Sequence, residues 1–583
     1  MHRQAFMNSY DSVPYPTFAQ PQTHPRRLET IAWLLSLPAP SSQNCRVLEL
    51  GCGDGSNLIP MAVAAPECQF VGIDASSVQI EMGRQWVNDL RLTNIQLEHR
   101  AIEQLDASWG SFDYIVCHGV FSWVPQRVQL AILRLVRELL TAEGIAYISY
   151  NTQPGWHGRG AIRNMMGYHV GRFSSDDPRE RIGRARGLLD FLTRATAGNQ
   201  DSYGLLLREN LAQLSQLPDA YLFHEHLEEI NEPIWFLDFC EMLSGMELRY
   251  VGEADFSAMI EPAGLSDEIR HELQELAPRL LEKEQYLDFL RNRSFRQTLI
   301  CRAGRQPNYA VGSERIHDLF VGSQMIPNAS SVDYSSDVVQ VFELGTETTL
   351  STQLPIFKAA LVALRQAWPN LLPFEILLQQ AHQLLEQANL MRERLDCKTE
   401  LAKALLTTYS STSLPVVELS RQPVRLTGEP SDAPMASPLV RLQSNRSQIV
   451  SNLRHESVRL TQAERFLVAH LDGKRSRDEL LEIFSEQFPE AFESSDVACA
   501  QSIDSVDRSM EAITNRGRPQ ILQEHLVRFA RYALLIGYAQ SSTSWACAVG
   551  TNDSDCEDSR WSWTIVQAHS QSPSSQLSYS QYE

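Results

Sequence analysis

From Arg46 to Asn151 the chain repeats one pattern: a short apolar run, a polar turn, then a stretch of helical periodicity. "RVLEL" (46–50), "QFVGID" (69–74), "IQLEH" (95–99), "FDYIVCHG" (112–119) and "GIAYISYN" (144–151) read as strands. "SNLIPMAVAAP" (56–66), a segment from Ser76 or Ser77 to about Leu90, and "QRVQLAILRLVRELL" (126–140) read as helices. Strands joined by helical crossovers pair in parallel, and a parallel sheet must be covered on both faces. The expected fold class is therefore α/β. "ELRYVGEADF" (247–256) and "SFRQTLICRAG" (294–304) are two later strands placed to complete the same sheet, with the helix "EPIWFLDFCEMLSGM" before them.

The first strand runs into Gly51, Gly53 and Gly55, which permit a tight turn and close approach of a ligand to the backbone where a helix begins. Asp74 ends the next strand, where a carboxylate is placed to accept hydrogen bonds from two ribose hydroxyls. The spacing is GxGxG, which departs from the GxGxxG of dinucleotide sites, and no GK[ST] follows as a phosphate loop requires. Glu49 and Asp54 flank the turn and would repel a pyrophosphate. A ligand with a sulfonium and an amino group suits them better, so S-adenosylmethionine is favoured over a dinucleotide or an empty turn. Ala101 and Ile102 fall in a loop placed to pass the adenine. His118 and Trp123 leave the end of the fourth strand, where open α/β sheets bind ligands. His118 reads either as a pocket residue or as a packed polar side chain, and Cys117 as core.

The formal net charge of −20 argues against a general nucleic-acid or anionic-membrane binder. No run approaches 18 apolar residues, and the start lacks a basic segment followed by an apolar core, so neither membrane insertion nor export is expected. Ten cysteines occur without a CxxC, which suits a reducing cytoplasm and argues against a structural zinc site; no metal is expected. Only five of the 51 basic residues are lysine, the first being Lys283. A proteome rich in arginine explains this simply; avoidance of self-modification is the alternative.

Residues 159–217 read as a helical insertion or lid interrupted by the polar "SSDDPRERIGR". Past Gly304 the texture changes: a strand at 338–344, a helix at 354–369, more helix over 371–408, and a Pro/Ser-rich loop at 410–438 carrying one strand. Capping-box spacings at 461–464 and 476–479 start two further helices. This region reads as a winged-helix-like α+β module, and the Ser-rich 541–583 as a disordered tail.

The strings "NSYDSVPYPTFAQPQTHPRRLETIAWL" (8–34), "RVLELGCGDGSNLIPMA" (46–62), "FVGID" (70–74), "FDYIVCHGVFSWVP" (112–125) and "YISYNTQPGWHGRG" (147–160) resemble class I S-adenosylmethionine-dependent methyltransferases. More narrowly, they resemble the bacterial protein-lysine methyltransferases with a methyltransferase regulatory domain, known from rickettsial enzymes acting on an outer-membrane protein. The likeness continues through 221–256 and 436–481. It implies a Rossmann-like sheet with a helical insertion, divided into an arm and first helix over the active site (1–45), a cofactor core (46–158), the insertion (159–220), a regulatory segment completing the sheet (221–304), a C-terminal region (305–540) and the tail.

By this resemblance Glu49, Gly51, Gly53 and Asp74 fall on the cofactor motif, with Ile102 and His118 on flanking loops; Cys52, Gly55, Ala75 and Ala101 adjoin them. The acceptor is expected to be a lysine on a protein. It must lose a proton before it attacks, and a desolvating aromatic or amide pocket favours that loss. Candidates are Tyr10, Tyr15, His118, Trp123, Tyr150, Asn151 and Trp156. Tyr150 reads equally as strand packing, and Asn151 as a turn cap. Pro14, Pro16, Pro21 and Pro25 stiffen the arm, which reads either as a lid or as surface wrapping. The C-terminal region is expected to present the substrate or to form a homodimer. The alternative is an O- or N-methyltransferase for a metabolite, with the C-terminal half used for oligomerisation.

Overall fold

The computed structural model describes residues 9–537 apart from 16, 174, 263, 346–347, 391–393, 413, 415 and 493–516; the expected tail at 541–583 and Pro16 lie outside the described residues. The described chain divides into one unit ending at Val311 and another beginning at Gly312.

In the first unit the strands are β1 (Arg46–Leu50), β2 (Gln69–Asp74), β3 (Ile95–His99), β4 (Phe112–Cys117), β5 (Leu140–Asn151), β6 (Leu248–Glu253) and β7 (Phe295–Arg302). They form a seven-stranded sheet in the order β3-β2-β1-β4-β5-β7-β6. The first five are parallel, and the two late strands add on antiparallel, β7 beside β5 and β6 beside β7. This is a Rossmann-like sheet. The strand order reverses between β1 and β4, which opens a crevice at the carboxyl ends of these strands.

The helices of this unit are α1 (Ser9–Ser12), α2 (Pro25–Leu34), α3 (Leu58–Ala64), α4 (Ser77–Asp89), α5 (Gln126–Leu139), α6 (Trp156–Val170), α7 (Pro178–Ala195), α8 (Ser202–Gln216), α9 (Asp219–His226), α10 (Phe236–Gly245), α11 (Asp267–Leu276) and α12 (Leu280–Arg291). Helix α5 shows why the sheet is covered. Its Val128, Ile132, Leu135, Val136 and Leu139 recur on one face and are buried against β4 and β5 residues Ile115, Ala146 and Ile148. Helix α10 adds Phe236 and Phe239 to the same core.

Helices α6 to α9 build a second core around Ile162, Met166, Ile182, Leu189, Leu207, Leu211 and Phe223. The expected interruption is shorter than its polar composition suggested. Asp177 caps α7 through the Arg179 N–H and Pro178 is its first residue, so all of "PRERIGR" is helical.

The late strands are fixed by a buried ionic cluster. Arg296 on β7 is fully buried and bonds Glu253 of β6 (2.5 Å) and Glu284 (3.2 Å) and Asp288 (2.9 Å) of α12. Arg293 reaches Asp288 at 3.2 Å, and the Arg296 guanidinium lies 3.8 Å from the Phe236 ring centre. Every charge in the cluster has an opposite partner, the condition under which buried ions are tolerated.

In the second unit the strand expected at 338–344 is Gln340–Leu344, and the helix expected at 354–369 is Pro355–Ala367, stopped by Trp368 before Pro369. The helix expected over 371–408 is broken. Leu372–Pro373 pairs with Phe320–Val321, Phe374–Gln387 and Arg394–Ser411 are separate helices, and Asn389 takes a left-handed φ of 58° after the first. The loop at 410–438 carries two short strands, Glu418–Ser420 and Met435–Ala436. Beyond it, Pro438–Ser444, the hairpin Ile449–Ser451/Ser457–Arg459, Gln462–His470, Arg477–Gln487 and Arg518–Arg531 enclose a core of Val440, Leu467, Phe484, Leu526 and Phe529. Both expected capping boxes are formed, Thr461 with Glu464 and Ser476 with Glu479. No helix among the described residues is long and apolar enough to cross a membrane.

Candidate active site

A cavity of about 440 Å³ opens at the reversal point of the sheet, a volume in the range of small-molecule sites. Glu49, Gly51, Cys52 and Gly53 line it from the end of β1 and the turn beyond, and Asp74 and Ala75 from the end of β2. Ala101 and Ile102 line it from the loop after β3, and His118 and Trp123 from the segment after β4.

The glycine turn is forced by its neighbours. Gly51 has φ +76°, and a Cβ there would lie 2.4 Å from the Val120 Cγ2 atom. Gly53 has φ +55°, and its N–H donates to Asp74 Oδ2 at 2.9 Å while the Ser76 N–H donates to Oδ1 at 2.7 Å. Each carboxylate oxygen keeps acceptor capacity toward the cavity. Burial raises the Asp74 pKa, an effect opposed by these bonds.

Glu49 is buried, and its Oε1 accepts from the Asn57 side-chain amide at 2.8 Å. Its Oε2 is buried without a hydrogen-bond partner. Burial pushes its pKa up to about 8, and the nearby Asp74 and Asp54 add to the rise. An acceptor atom left alone in a cavity wall is matched by a cationic donor.

The chain before α2 is laced over this turn. Ser76 Oγ donates to Asp11 at 2.6 Å, the Gln79 amide to the Tyr15 carbonyl at 3.0 Å, and the Gln20 N–H to Asn57 at 2.9 Å. The Thr17 hydroxyl bonds Asp54. Tyr10, Tyr15, Thr17, Phe18 and Gln20 thereby line the cavity. Tyr10 stacks on His224 of α9 with ring centres 4.3 Å apart, and Tyr15 meets the same ring edge-on at 5.5 Å.

His118 is half-buried, its Nδ1 2.9 Å from the Tyr147 hydroxyl. Burial pushes its pKa down to about 4, so the imidazole is neutral near pH 7 and a weak base. Trp123 meets Trp156 edge-on at 6.2 Å. Asn151 lines the cavity from the end of β5 and donates to Asn231 at 3.0 Å, while its N–H donates to Ser122 at 2.9 Å.

Two expected residues stand elsewhere. Tyr150 does not line the cavity: side chains alternate along β5, and its ring packs 4.2 Å from that of Phe239, with its hydroxyl 3.2 Å from Thr298. Gly55 does not line it either; with φ +75° it closes the turn, and its Cβ position abuts Leu97 and Ile59. Conversely, Asn57, Gln79, Arg159, Tyr221, His224, Glu225 and Phe295 line the cavity without having been singled out. The signal for three of them was present: Tyr221, His224 and Glu225 stand at i, i+3 and i+4, one face of a helix.

Three family models match the chain: "Methyltransferase domain" over residues 41–161, "Predicted methyltransferase regulatory domain" over 218–302, and "PKMT, C-terminal winged helix domain" over 432–534. The uncharacterized protein RP789 of Rickettsia prowazekii is 33% identical over 82% of this chain and 85% of its own. The chain belongs to the PKMT family. The solved structure of PKMT2 from Rickettsia typhi is similar along 90% of this chain and 100% of its own, with 28% identity and a TM-score of 0.76. The same PKMT in complex with AdoHcy gives 0.77. The PKMT chain described here is an S-adenosylmethionine-dependent methyltransferase. Its residues fit that cofactor chemically, since the unpartnered Glu49 oxygen suits an amino group and Asp74 a ribose diol. The part matched by the regulatory model supplies Tyr221, His224, Glu225 and Phe295 to the cavity itself.

Proposed function

We propose that this enzyme transfers methyl groups from S-adenosylmethionine to the side-chain amine of lysine in a protein substrate. The observation that carries the reading is the composition of the cavity beyond the glycine turn. Tyr10, Tyr15, Trp123, Trp156 and Tyr221 offer aromatic surface, and Asn151 and Glu225 add an amide and a carboxylate. Aromatic faces attract an alkylammonium and still accommodate it as methyl groups are added. The likeness to PKMT2 supports the same substrate class.

In this reading Asp74 holds the ribose hydroxyls, Glu49 the amino group, and Ala101 and Ile102 the adenine, while Gly51, Cys52 and Gly53 let the cofactor approach the backbone. S-adenosylmethionine supplies an electrophilic methyl on a sulfonium. The chain's own residues bind and orient the two reactants and exclude water, because aligning them removes much of the entropic barrier. Tyr10 and Tyr15, on the arm, and Trp123 and Asn151, at the strand ends, guide the amine. Neutral His118 fixes the wall through Tyr147 and takes no proton at neutral pH. We assign the second unit to substrate presentation or self-association. The cytoplasm is the setting that suits Cys45, Cys52, Cys68, Cys117, Cys240, Cys301 and Cys397, all free thiols.

The test is incubation of the enzyme with methyl-labelled S-adenosylmethionine and lysate of its host, with Asp74→Ala as control. Label that is protease-sensitive and maps to lysines of a defined protein is the expected result. Label confined to the small-molecule fraction replaces this reading with a metabolite methyltransferase.

A further inference from the structure

A lysine amine has a pKa near 10.4, so roughly one in 2,500 is neutral at pH 7. The rest must give up a proton before the nitrogen lone pair can attack. Among the side chains lining the cavity, His118 is too weak a base for this task. In the reading above Asp74 takes the ribose hydroxyls and Glu49 the amino group of the cofactor, so both carboxylates are committed to it.

Glu225 differs from these. It is half-buried on α9, lines the cavity, and has no side-chain hydrogen bond or ion pair among the described residues. Arg163 spends its guanidinium on backbone, donating to the carbonyls of Glu225 and Glu228 at the end of α9. Arg159 lies 5.8 Å from the Trp156 ring centre. On its own helix, His224 is held between Glu228 Oε1 at 2.9 Å and the Val13 carbonyl at 2.6 Å. The charged groups acting on Glu225 are Arg159 and Arg163 from α6, and Tyr10 of the arm feels its charge; His224, His226 and Glu228 are the other titratable groups of its own segment.

We propose that Glu225 is the catalytic residue that meets the incoming lysine ammonium and accepts its proton. This rests on the protein-lysine reading above. The ammonium pairs with the carboxylate, and one N–H bond breaks as an O–H bond forms on Glu225. The neutral amine then attacks the methyl carbon. A C–N bond forms, the C–S bond breaks with its electron pair kept by sulfur, and the product is a methylated ammonium and a neutral thioether. The proton on Glu225 passes to water when the product leaves. Burying two charges is costly, so in this cavity the neutral acid–amine pair competes with the ion pair. The group is poised for exchange, because burial pushes its pKa up to about 7 against the pull of Arg159 and Arg163.

The test compares the wild type with Glu225→Gln and Glu225→Asp, using tritiated S-adenosylmethionine and unfolded host-cell protein as acceptor, at pH 6 to 9. S-adenosylhomocysteine affinity by calorimetry reports whether each variant keeps its cofactor site. The expected result is a ~100-fold or greater fall in the initial rate for Glu225→Gln at pH 7, as for loss of a general base. Cofactor affinity should stay within about twofold, and the wild-type inflection near pH 7 should vanish. Glu225→Asp should keep a displaced inflection. A Glu225→Gln rate within about tenfold of wild type, or an unchanged inflection, overturns the proposal while the lysine reading stands. Wild-type enzyme that labels no lysine overturns both.

Discussion

The ring of Tyr10 lies stacked on that of His224, 4.3 Å apart, although 213 residues separate them in the chain. One belongs to the N-terminal arm and the other to the start of the regulatory segment, and both line the cofactor cavity. Their contact closes the arm over the cavity. An aromatic pair contributes about 0.5–1.5 kcal/mol beyond area burial. Tyr10→Ala should therefore weaken S-adenosylhomocysteine binding roughly threefold to tenfold and speed proteolysis within the arm, while Tyr10→Phe, which keeps the stacked ring, should lose less. Calorimetry and timed proteolysis check this.

If Glu49 holds the cofactor amino group as proposed, cofactor binding should release a proton. Its folded pKa of about 8 exceeds the ordinary carboxylate value, so the free enzyme holds a proton there at pH 7. The stability from this group is fully present below the ordinary carboxylate pKa and is lost as pH rises toward about 8, because the folded state binds the extra proton. A cationic amino group beside Oε2 stabilises the carboxylate and expels that proton. Calorimetry at pH 7 in buffers of differing ionisation enthalpy should show release approaching one proton on S-adenosylhomocysteine binding, and affinity should rise from pH 6 to pH 8. Glu49→Gln should abolish this release.

Gly51 admits no side chain. A Cβ would sit 2.4 Å from Val120 and would also have to occupy φ +76°. Gly51→Ala should lose at least about tenfold in cofactor affinity by displacing Val120 from the cavity wall, with a lower unfolding midpoint because Val120 also packs against the main core. Fluorescence or calorimetric titration measures the loss.

Removing Arg296 leaves Glu253, Glu284 and Asp288 together without their central cation. Breaking a buried pair from one side costs about 3–5 kcal/mol, so Arg296→Ala should be strongly destabilised in denaturant unfolding. Burial raises the pKa of both Glu284 and Asp288 and Arg296 opposes it, so the variant's carboxyls should hold their protons to higher pH than in the wild type.

The sheet was legible in the sequence because each strand is a compact apolar run, and β1 to β5 lie close to where that pattern puts them. The cofactor turn was legible for a similar reason, since Gly51, Gly53 and Asp74 are bound to their strands by local geometry. The acceptor side was less so. Tyr150 and Asn151 are adjacent, and strand alternation sends one to the core and the other to the cavity, a choice fixed by Phe239 of α10, 89 residues on from Tyr150. Glu225 shares a helix face with Tyr221 and His224, a spacing visible in the sequence, but that face is tied to the cavity only by the arm and α6 brought beside it. The Arg296 cluster was hidden likewise, its partners spread over β6, α12 and β7.

The central claim is that the methyl acceptor is a lysine side chain. Host protein labelled by the enzyme with methyl-tritiated S-adenosylmethionine should be hydrolysed to amino acids and separated. The account predicts tritium in mono-, di- or trimethyl-lysine, and none when Asp74→Ala replaces the wild type. Tritium in any other amino acid, or released by mild base as volatile methanol from a methyl ester, contradicts it.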